Sequence, residues 1–425
     1  FGWGVVLSDE TLDNLAANDA ASATSIREHF AYWDDIAVHF KGTTQVSTGH
    51  GFCGIGRKRL LQILQARARD VGVDLRYETE VKDIDELMRS HDLVVAPDGV
   101  NSIARTRFEN VFKPDIDVRK CHYIWLGTHQ KFDDAFTFIF EETEHGWIWV
   151  HAYQFDPDTA TFIIECSDET YRRFGFAHMS QQESIATCEA IFKDHLGGHS
   201  LMTNAGHIRG SAWIRFPRVL CERWSHNNLV LMGDAAASAH FSIGSGTKLA
   251  MESAIALADY LHTEKSMHAA FEKYEDARRL EVLRLQSAAR NSLEWFEDIE
   301  RYFNLDPVQF NYSLLTRSQR ISHENLRLRD PHWMQQAERW FQTQSGVPES
   351  EPVRAPMFAP YFLRGMKLKN RVVVSPMAQY KAVDGCPTDW HLVHYGERAK
   401  GGAGLIYTEM TCVSPQGRIT PGCTG

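Results

Sequence analysis

The apolar positions of the chain change period several times, and each change marks an element. In KRLLQILQARARD (58–70), Leu60, Leu61, Leu64 and Ala68 recur at helical spacing with Arg and Lys on the other face, which predicts a helix. VGVDLRYETEV (71–81) predicts a strand, and HDLVVAPDG (91–99) predicts a second strand closed by a turn. From 136 to 167 the pattern turns aromatic and β-branched. FTFIFEE, GWIWVHAYQF and TATFIIECS, separated by polar or D-P-D turns, predict an antiparallel sheet inserted across about residues 111–216. Helical composition returns at 180–196, followed by a strand-like stretch around 207–216. NNLVLMGDAAASAHFSIGSGTKLAMESAIALADYLH (227–262) predicts strand, Gly-rich turn and long helix, and residues 268–303 are helical and richly charged.

TQSGVPESEPVRAP (343–356) carries three prolines and no apolar periodicity, so it predicts a linker. A new β-α-β pattern follows: RVVVS (371–375), a helical stretch near 389–400, and GAGLIYTEM (402–410). The expected architecture is therefore α/β with an inserted antiparallel sheet over 1–342, a linker over 343–356, and the opening of a second α/β domain over 357–425. A closed (β/α)₈ barrel takes about 250 residues, so a barrel beginning at Met357 is expected to be incomplete at Gly425.

Composition narrows the function classes. Hydrophobic residues make up 43% and charged residues 24% of the 425, as in ordinary folded domains. The formal charge of −10 sets the bulk field against polyanions and argues against nucleic acid as a partner. No run approaches the roughly 20 apolar residues of a membrane-spanning helix. Eight cysteines without a C-x-x-C pair suit reduced thiols and a cytoplasmic setting. Position 1 is Phe in an apolar FGWGVVL run, and PGCTG follows directly on a loop. Both ends are expected to be cut from a longer polypeptide. His391 and His394 stand at i, i+3 with no third ligand nearby, so no metal site is expected.

Chemistry concentrates around NLVLMGDAAASAHFSIGSGTKLAME. Gly233 permits a tight turn at a strand end, and Asp234 projects a carboxylate where a sugar hydroxyl could be held. Gly244, Ser245 and Gly246 admit close approach to the backbone, and the helix starting near Thr247 offers unpaired N–H groups to an anion. A plain strand–loop–helix joint explains the same glycines. In DLVVAPDGVNSIAR, a strand delivers Asp98-Gly99, then Ser102 and Arg105; Asp-Gly by itself is also a common turn. Arg57 heads Arg57-x-x-Leu60 at a helix start, where a solvated charge is equally ordinary.

Together and in this order, these three motifs resemble the FAD-dependent aromatic-ring hydroxylases of the para-hydroxybenzoate hydroxylase type. The helical Phe271-x-x-Tyr274-Glu275-x-x-Arg278 continues the match, which covers about residues 1–300. The resemblance implies a GR2-like Rossmann core. It also implies that Arg57 and Asp98 contact the adenosine–pyrophosphate part of FAD, that Asp234 holds the ribityl chain, and that the backbone of 244–247 meets the flavin pyrimidine edge. The chain departs from the family in lacking the G-x-G-x-x-G unit and in reading G-D-A-A-A, with Ala237 in the place of His. His240, between the G-D motif and the glycines, is a candidate acceptor for the proton of a ring hydroxyl or ammonium group, or a hydrogen-bonded loop histidine. Oxygen transfer belongs to the flavin in this family, so no protein nucleophile is assigned.

MFAPYFLRGMKLKNRVVVSPMAQY…GCPTDWHLVHYGERAKGGAGLIYTEM resembles the start of an old yellow enzyme-type FMN oxidoreductase. By that resemblance Ser375, Pro376, Met377 and Ala378 line FMN in the complete barrel, and Tyr380 reaches the substrate pocket. The order of the two parts resembles the bifunctional salicylyl-CoA 5-hydroxylase/oxidoreductase and 2-aminobenzoyl-CoA monooxygenase/reductase family. It implies a hydroxylation of an aryl-CoA thioester, using NADH and O₂, para to its hydroxyl or amino group, with the second domain reducing the product. Arg209, Arg215, Arg218 and Arg223 are candidate contacts for CoA phosphates, or surface charges. A homodimer is one candidate assembly. A flavin monooxygenase or halogenase acting on a free aromatic, and a truncated chain without activity, are the alternatives.

Overall fold

The aromatic runs pair with one another, and the alternation along them decides what lies on each side of the sheet. In the computed structural model, which describes residues 2–206, 212–244 and 246–425, the first unit (Phe1–Asp330) and the second (Pro331–Gly425) are separately compact. The first contains β1 (Gly4–Leu7), β2 (Ala31–Trp33), β3 (Asp35–Phe40), β4 (Thr43–Ser47), β5 (Phe52–Gly56), β6 (Val94–Ala96) and β7 (Pro114–Thr128). It continues with β8 (Ala135–Thr143), β9 (Gly146–Gln154), β10 (Ala160–Cys166), β11 (Leu201–Met202), β12 (Ile214–Cys221), β13 (Ser225–His226) and β14 (Leu229–Leu231).

The main sheet has the order β11-β7-β10-β9-β8-β3-β4, with β12 also on β7. The predicted antiparallel insertion is its centre. The sheet is larger than predicted, because β3 pairs parallel to β8 and brings β4 with it from residues 35–47. Every residue of β10 is buried, as expected of a strand covered on both faces. Ala160, Phe162, Ile164 and Cys166 point into a core with Phe176, Cys188 and Phe192. Thr161 and Glu165 therefore face the other side, joined there by Trp149 and His151 of β9 and Tyr123 of β7. That second face is the one that meets the rest of the unit.

A smaller antiparallel sheet, β1-β5-β2, closes on it. Gly4 N–H donates to Thr161 Oγ1 (2.9 Å), and Tyr153 Oη–H donates to Gly4 O (3.0 Å). A Cβ on Gly4 would lie 2.8 Å from both Phe155 and Thr161 Oγ1, so only glycine fits. A third sheet, β13-β14-β6, contains the parallel pair β14·β6 and packs with the helices Gly246–Thr263 and Met267–Glu297 through Leu231, Leu249, Leu257, Phe271 and Tyr274.

Two expectations fail. Residues 71–81 form no strand; Val71, Val73, Tyr77 and Val81 are exposed and no neighbouring strand among the described residues offers a ladder, so their backbone groups turn to water. The boundary expected at 342/343 falls inside a helix, Pro331–Gln344, and the division between units falls after Asp330 instead. Its buried stripe of Trp333, Met334 and Ala337 explains the continuation. The proline-rich segment folds back on the same helix: Arg339 donates to Glu349 O and Glu351 O, and Gln342 donates to Pro352 O.

In the second unit Val373–Val374 pairs parallel with Leu405–Ile406 across the helix Asp389–Lys400, the predicted β-α-β unit. No helix among the described residues is long and apolar enough to cross a membrane.

Candidate active site

β14 ends in a short turn, Gly233–Ala235, that needs the left-handed backbone of Gly233 (φ 60°). Asp234 follows. Its side chain reaches solvent, yet the protein crowded around it desolvates the carboxyl and raises its pKa, while Arg57 opposes the rise. A carboxylate both reachable and poorly hydrated lies in a groove rather than on an open surface. Arg57 starts its helix with N–H donating to Trp3 O (2.8 Å), and its guanidinium lies 5.9 Å from the Trp125 ring centre. Arg57 Nε is buried with no hydrogen-bond partner. A buried donor left unpaired costs about 1–3 kcal/mol.

The rest of the loop keeps that groove open. Gly244 is left-handed (φ 63°), with an ideal Cβ 3.6 Å from Val6, and Gly246 has no neighbour within 4 Å of such a position. Gly246 and Thr247 form the first turn of an 18-residue helix, whose leading N–H groups favour an anionic or electron-rich edge. Ser245 lies outside the described residues.

Asp98 is exposed and spends Oδ2 on capping, accepting from Ile103 N–H (2.8 Å) and Ala104 N–H (3.2 Å). The tie between its loop and the Gly233 turn is Arg105, which is buried. Arg105 Nη1 donates to Ala235 O (2.9 Å) and Asp234 O (3.5 Å), and Nη2 donates to Val100 O. Arg57 is thus within electrostatic reach of Asp234 in the Gly233 turn, and Asp98 is linked to that turn by its loop backbone and by Arg105.

Below the loop, the second face of the main sheet presents a buried polar cluster. Glu165 Oε2 accepts from Trp149 Nε1 (2.9 Å) and His151 Nε2 (3.1 Å). His240 is buried, its Nδ1 accepts from Ser242 N–H (3.2 Å), and its Nε2 stands 3.9 Å from Glu165 Oε1. Phe241 stacks over this face, 4.1 Å from the His240 ring and 4.7 Å from Tyr123. Arg317, enclosed by Phe138 and Phe296, donates through Nη2 to Ser242 O (3.0 Å) and holds the loop down. Glu165 and Arg317 escaped sequence reasoning. A lone Glu in TFIIECS was the available signal for the first; the second had none.

The candidate CoA contacts do not gather into a set of unused cations. Arg218 pairs with Asp115 (2.7 Å), Arg215 donates to Arg119 O (2.7 Å), Arg223 is exposed, and Arg209 lies outside the described residues. In the second unit Ser375, Pro376, Met377 and Ala378 are all exposed just past the strand end. Tyr380 is exposed too, with a left-handed backbone (φ 56°). His391 has both ring nitrogens engaged, Nδ1 by Thr388 N–H (3.0 Å) and Nε2 by Glu409 (2.7 Å), which leaves no lone pair for a metal. No cluster of three His, Cys, Asp or Glu among the described residues could hold a metal ion.

The chain is 38% identical over 375 residues to salicyloyl-CoA 5-hydroxylase of Streptomyces, covering 85% of this chain and 70% of that protein. It is 33% identical over 296 residues to 3-hydroxy-4-methyl-anthranilyl-(aryl-carrier protein) 5-monooxygenase of Streptosporangium sibiricum, covering 70% and 78%. The chain belongs to the FAD-dependent aromatic monooxygenases. The fold agrees: the tetrameric form of 2-methyl-3-hydroxypyridine-5-carboxylic acid oxygenase superposes with a TM-score of 0.56 at 16% identity, covering 78% of this chain and 89% of that one. Residues 356–425 match the NADH:flavin oxidoreductase / NADH oxidase family.

The polar cluster gives this monooxygenase a predictable acid response. Burial pushes His240 down to about 4; Glu165 opposes, while His151, Arg119 and Arg317 reinforce the shift. His50 is also lowered to about 4 by burial, with Arg329 assisting and Asp330 and Asp35 opposing. Unfolded histidine titrates near 6.5, so between about pH 6.5 and pH 4 the unfolded chain binds the extra protons. Stability therefore falls as pH falls through that window, by about 3 kcal/mol for His240. Urea unfolding of the chain at pH 7 and pH 4.5 should show the loss, and His240→Asn should remove the share of His240 while leaving that of His50.

Proposed function

We propose that the first unit is an NADH-using, FAD-dependent hydroxylase of an aryl-CoA thioester, acting para to a ring hydroxyl or amino group. The observation that carries the cofactor half is Asp234, reachable yet desolvated, opposite an arginine whose Nε is buried without a partner. That pair fits the polyol and phosphate of a flavin nucleotide. Asp234 would bind the ribityl hydroxyls and Arg57 the pyrophosphate; Asp98 would stand at the adenosine side. The backbone of Gly244, Gly246 and Thr247 would meet the pyrimidine edge. Bound FAD supplies the activation of O₂ and the oxygen transferred.

The protein's own residues orient the arene and exclude water. Phe216 and Phe241 flank the His240 ring and Tyr123 packs on Phe241, an aromatic wall which we assign to the substrate side. The aryl-thioester half rests on the two relatives named above, whose substrates are a salicyloyl and an anthranilyl thioester. The second unit we assign to an FMN ene-reductase-like domain, with Tyr380 on its substrate side, from its family match. A cytoplasmic setting goes with soluble CoA thioesters.

The test is NADH consumption by the FAD-supplemented chain in air. Salicyloyl-CoA or 2-aminobenzoyl-CoA should accelerate it at least about tenfold more than free salicylate or 2-aminobenzoate. Equal or better response to the free acids would favour a hydroxylase of free aromatics.

A further inference from the structure

Glu165 has one satisfied oxygen and one orphan. Oε2 takes both of its donors, Trp149 and His151. Oε1 is buried with no hydrogen-bond partner, an arrangement that native interiors avoid because the lost hydration is not replaced. His240 Nε2 stands 3.9 Å from Oε1, beyond hydrogen-bond reach. Because His240 Nδ1 accepts from Ser242 N–H, the neutral ring carries its proton on Nε2, on the side of Glu165. A donor and an acceptor therefore face each other across a gap that a single oxygen or nitrogen, about 2.8 Å from each, would bridge.

The bridging atom must accept from His240 and donate to Glu165. A hydroxyl or a primary amine does both; a methyl, a halogen or a bare ring C–H does neither. Phe216 (4.9 Å) and Phe241 (4.1 Å) flank the His240 ring, and Tyr123 lies 4.7 Å from Phe241, so the surroundings of the gap suit an arene. Phe241 is partly exposed and packs on the rings of His240, His151 and Tyr123. The two relatives' substrates share this chemistry. A salicyloyl group carries a hydroxyl, and an anthranilyl group an amine, ortho to the acyl carbon; position 5, named in both activities, is para to that heteroatom.

We infer that Glu165 and His240 together read the ortho hydroxyl or amino group of the aryl thioester, and so set which ring carbon is turned toward the flavin. This rests on the substrate class proposed above. Trp149 and His151 act as positioning residues, holding Glu165 so that Oε1 remains available.

Equilibrium binding of salicyloyl-CoA, 2-aminobenzoyl-CoA and benzoyl-CoA to the FAD-supplemented chain, followed by tryptophan fluorescence, tests it. The intact chain should bind the two ortho-substituted thioesters about 10- to 100-fold more tightly than benzoyl-CoA, since a site built for a hydrogen-bonding group rejects the analogue lacking it. Glu165→Gln, which turns an acceptor into a donor at nearly constant volume, should shrink that ratio to below about threefold. A ratio near one in the intact chain overturns the inference, and so does a Glu165→Gln chain that melts normally and keeps the full ratio. If Glu165→Gln unfolds, the ratio in the intact chain decides alone. Binding of all three thioesters without discrimination removes this inference and leaves the substrate class standing; binding of none removes both.

Discussion

Replacing Arg105 with alanine is expected to cost the first unit about 3 kcal/mol and to loosen the Gly233 turn. The guanidinium is 4% exposed and donates to three backbone carbonyls, those of Val100, Asp234 and Ala235. Removing it leaves acceptors in the interior, each costing about 1–3 kcal/mol, against which the relief of no longer burying a cation is set. The β6·β14 ladder reaches only as far as Met232 N–H donating to Ala96 O (3.2 Å), so beyond the strand ends Arg105 ties the 97–102 loop to the turn that carries Asp234. Urea unfolding of Arg105→Ala beside Arg107→Ala provides the comparison. Arg107 is exposed, pairs with Asp85 (2.7 Å) and lies over the Phe108 ring, surface contacts whose loss should change little. Equal midpoints for the two variants would show that the buried tie contributes no stability.

Different parts of the molecule were legible in the sequence to different degrees, for physical reasons. β8, β9 and β10 were visible because each is a run of β-branched and aromatic residues between turns, and local pattern is enough to fix such strands. The parallel pairing of β3 with β8 joins residues about a hundred positions apart and leaves no local trace. The 71–81 segment has the composition of a strand, but composition cannot supply a neighbour to pair with. The helix through 343 was hidden by the serine, glycine and prolines that follow it.

The site divides the same way. Gly233, Asp234, Gly244 and Gly246 lie in one contiguous motif, so the turn and the helix start could be anticipated from spacing alone. Arg57 could be proposed only from its place in an ordered set of motifs. Glu165 could not be singled out, because its role comes from the face of β10 on which it falls and from His240, 75 positions along the sequence. Asp98 shows the opposite case: the motif was seen, but its carboxylate proves to cap Ile103 and Ala104.

Asp234 carries the second large expectation. A carboxylate that meets sugar hydroxyls in a groove already low in water makes charge-assisted hydrogen bonds worth about 1.5–3 kcal/mol, so its removal should weaken a flavin nucleotide by one to two orders of magnitude. Unlike Arg105, Asp234 is accessible and its carboxyl accepts from no backbone group among the described residues, so Asp234→Ala should melt like the intact chain. Flavin fluorescence during titration with FAD gives the direct reading. The intact chain and Arg284→Ala, which alters only an exposed pair with Glu281, should bind FAD saturably with equal affinity, and Asp234→Ala should bind it at least about tenfold more weakly. Binding that is absent from the intact chain, or unchanged in Asp234→Ala, would mean that the groove beside Gly233 is not where this monooxygenase holds its flavin.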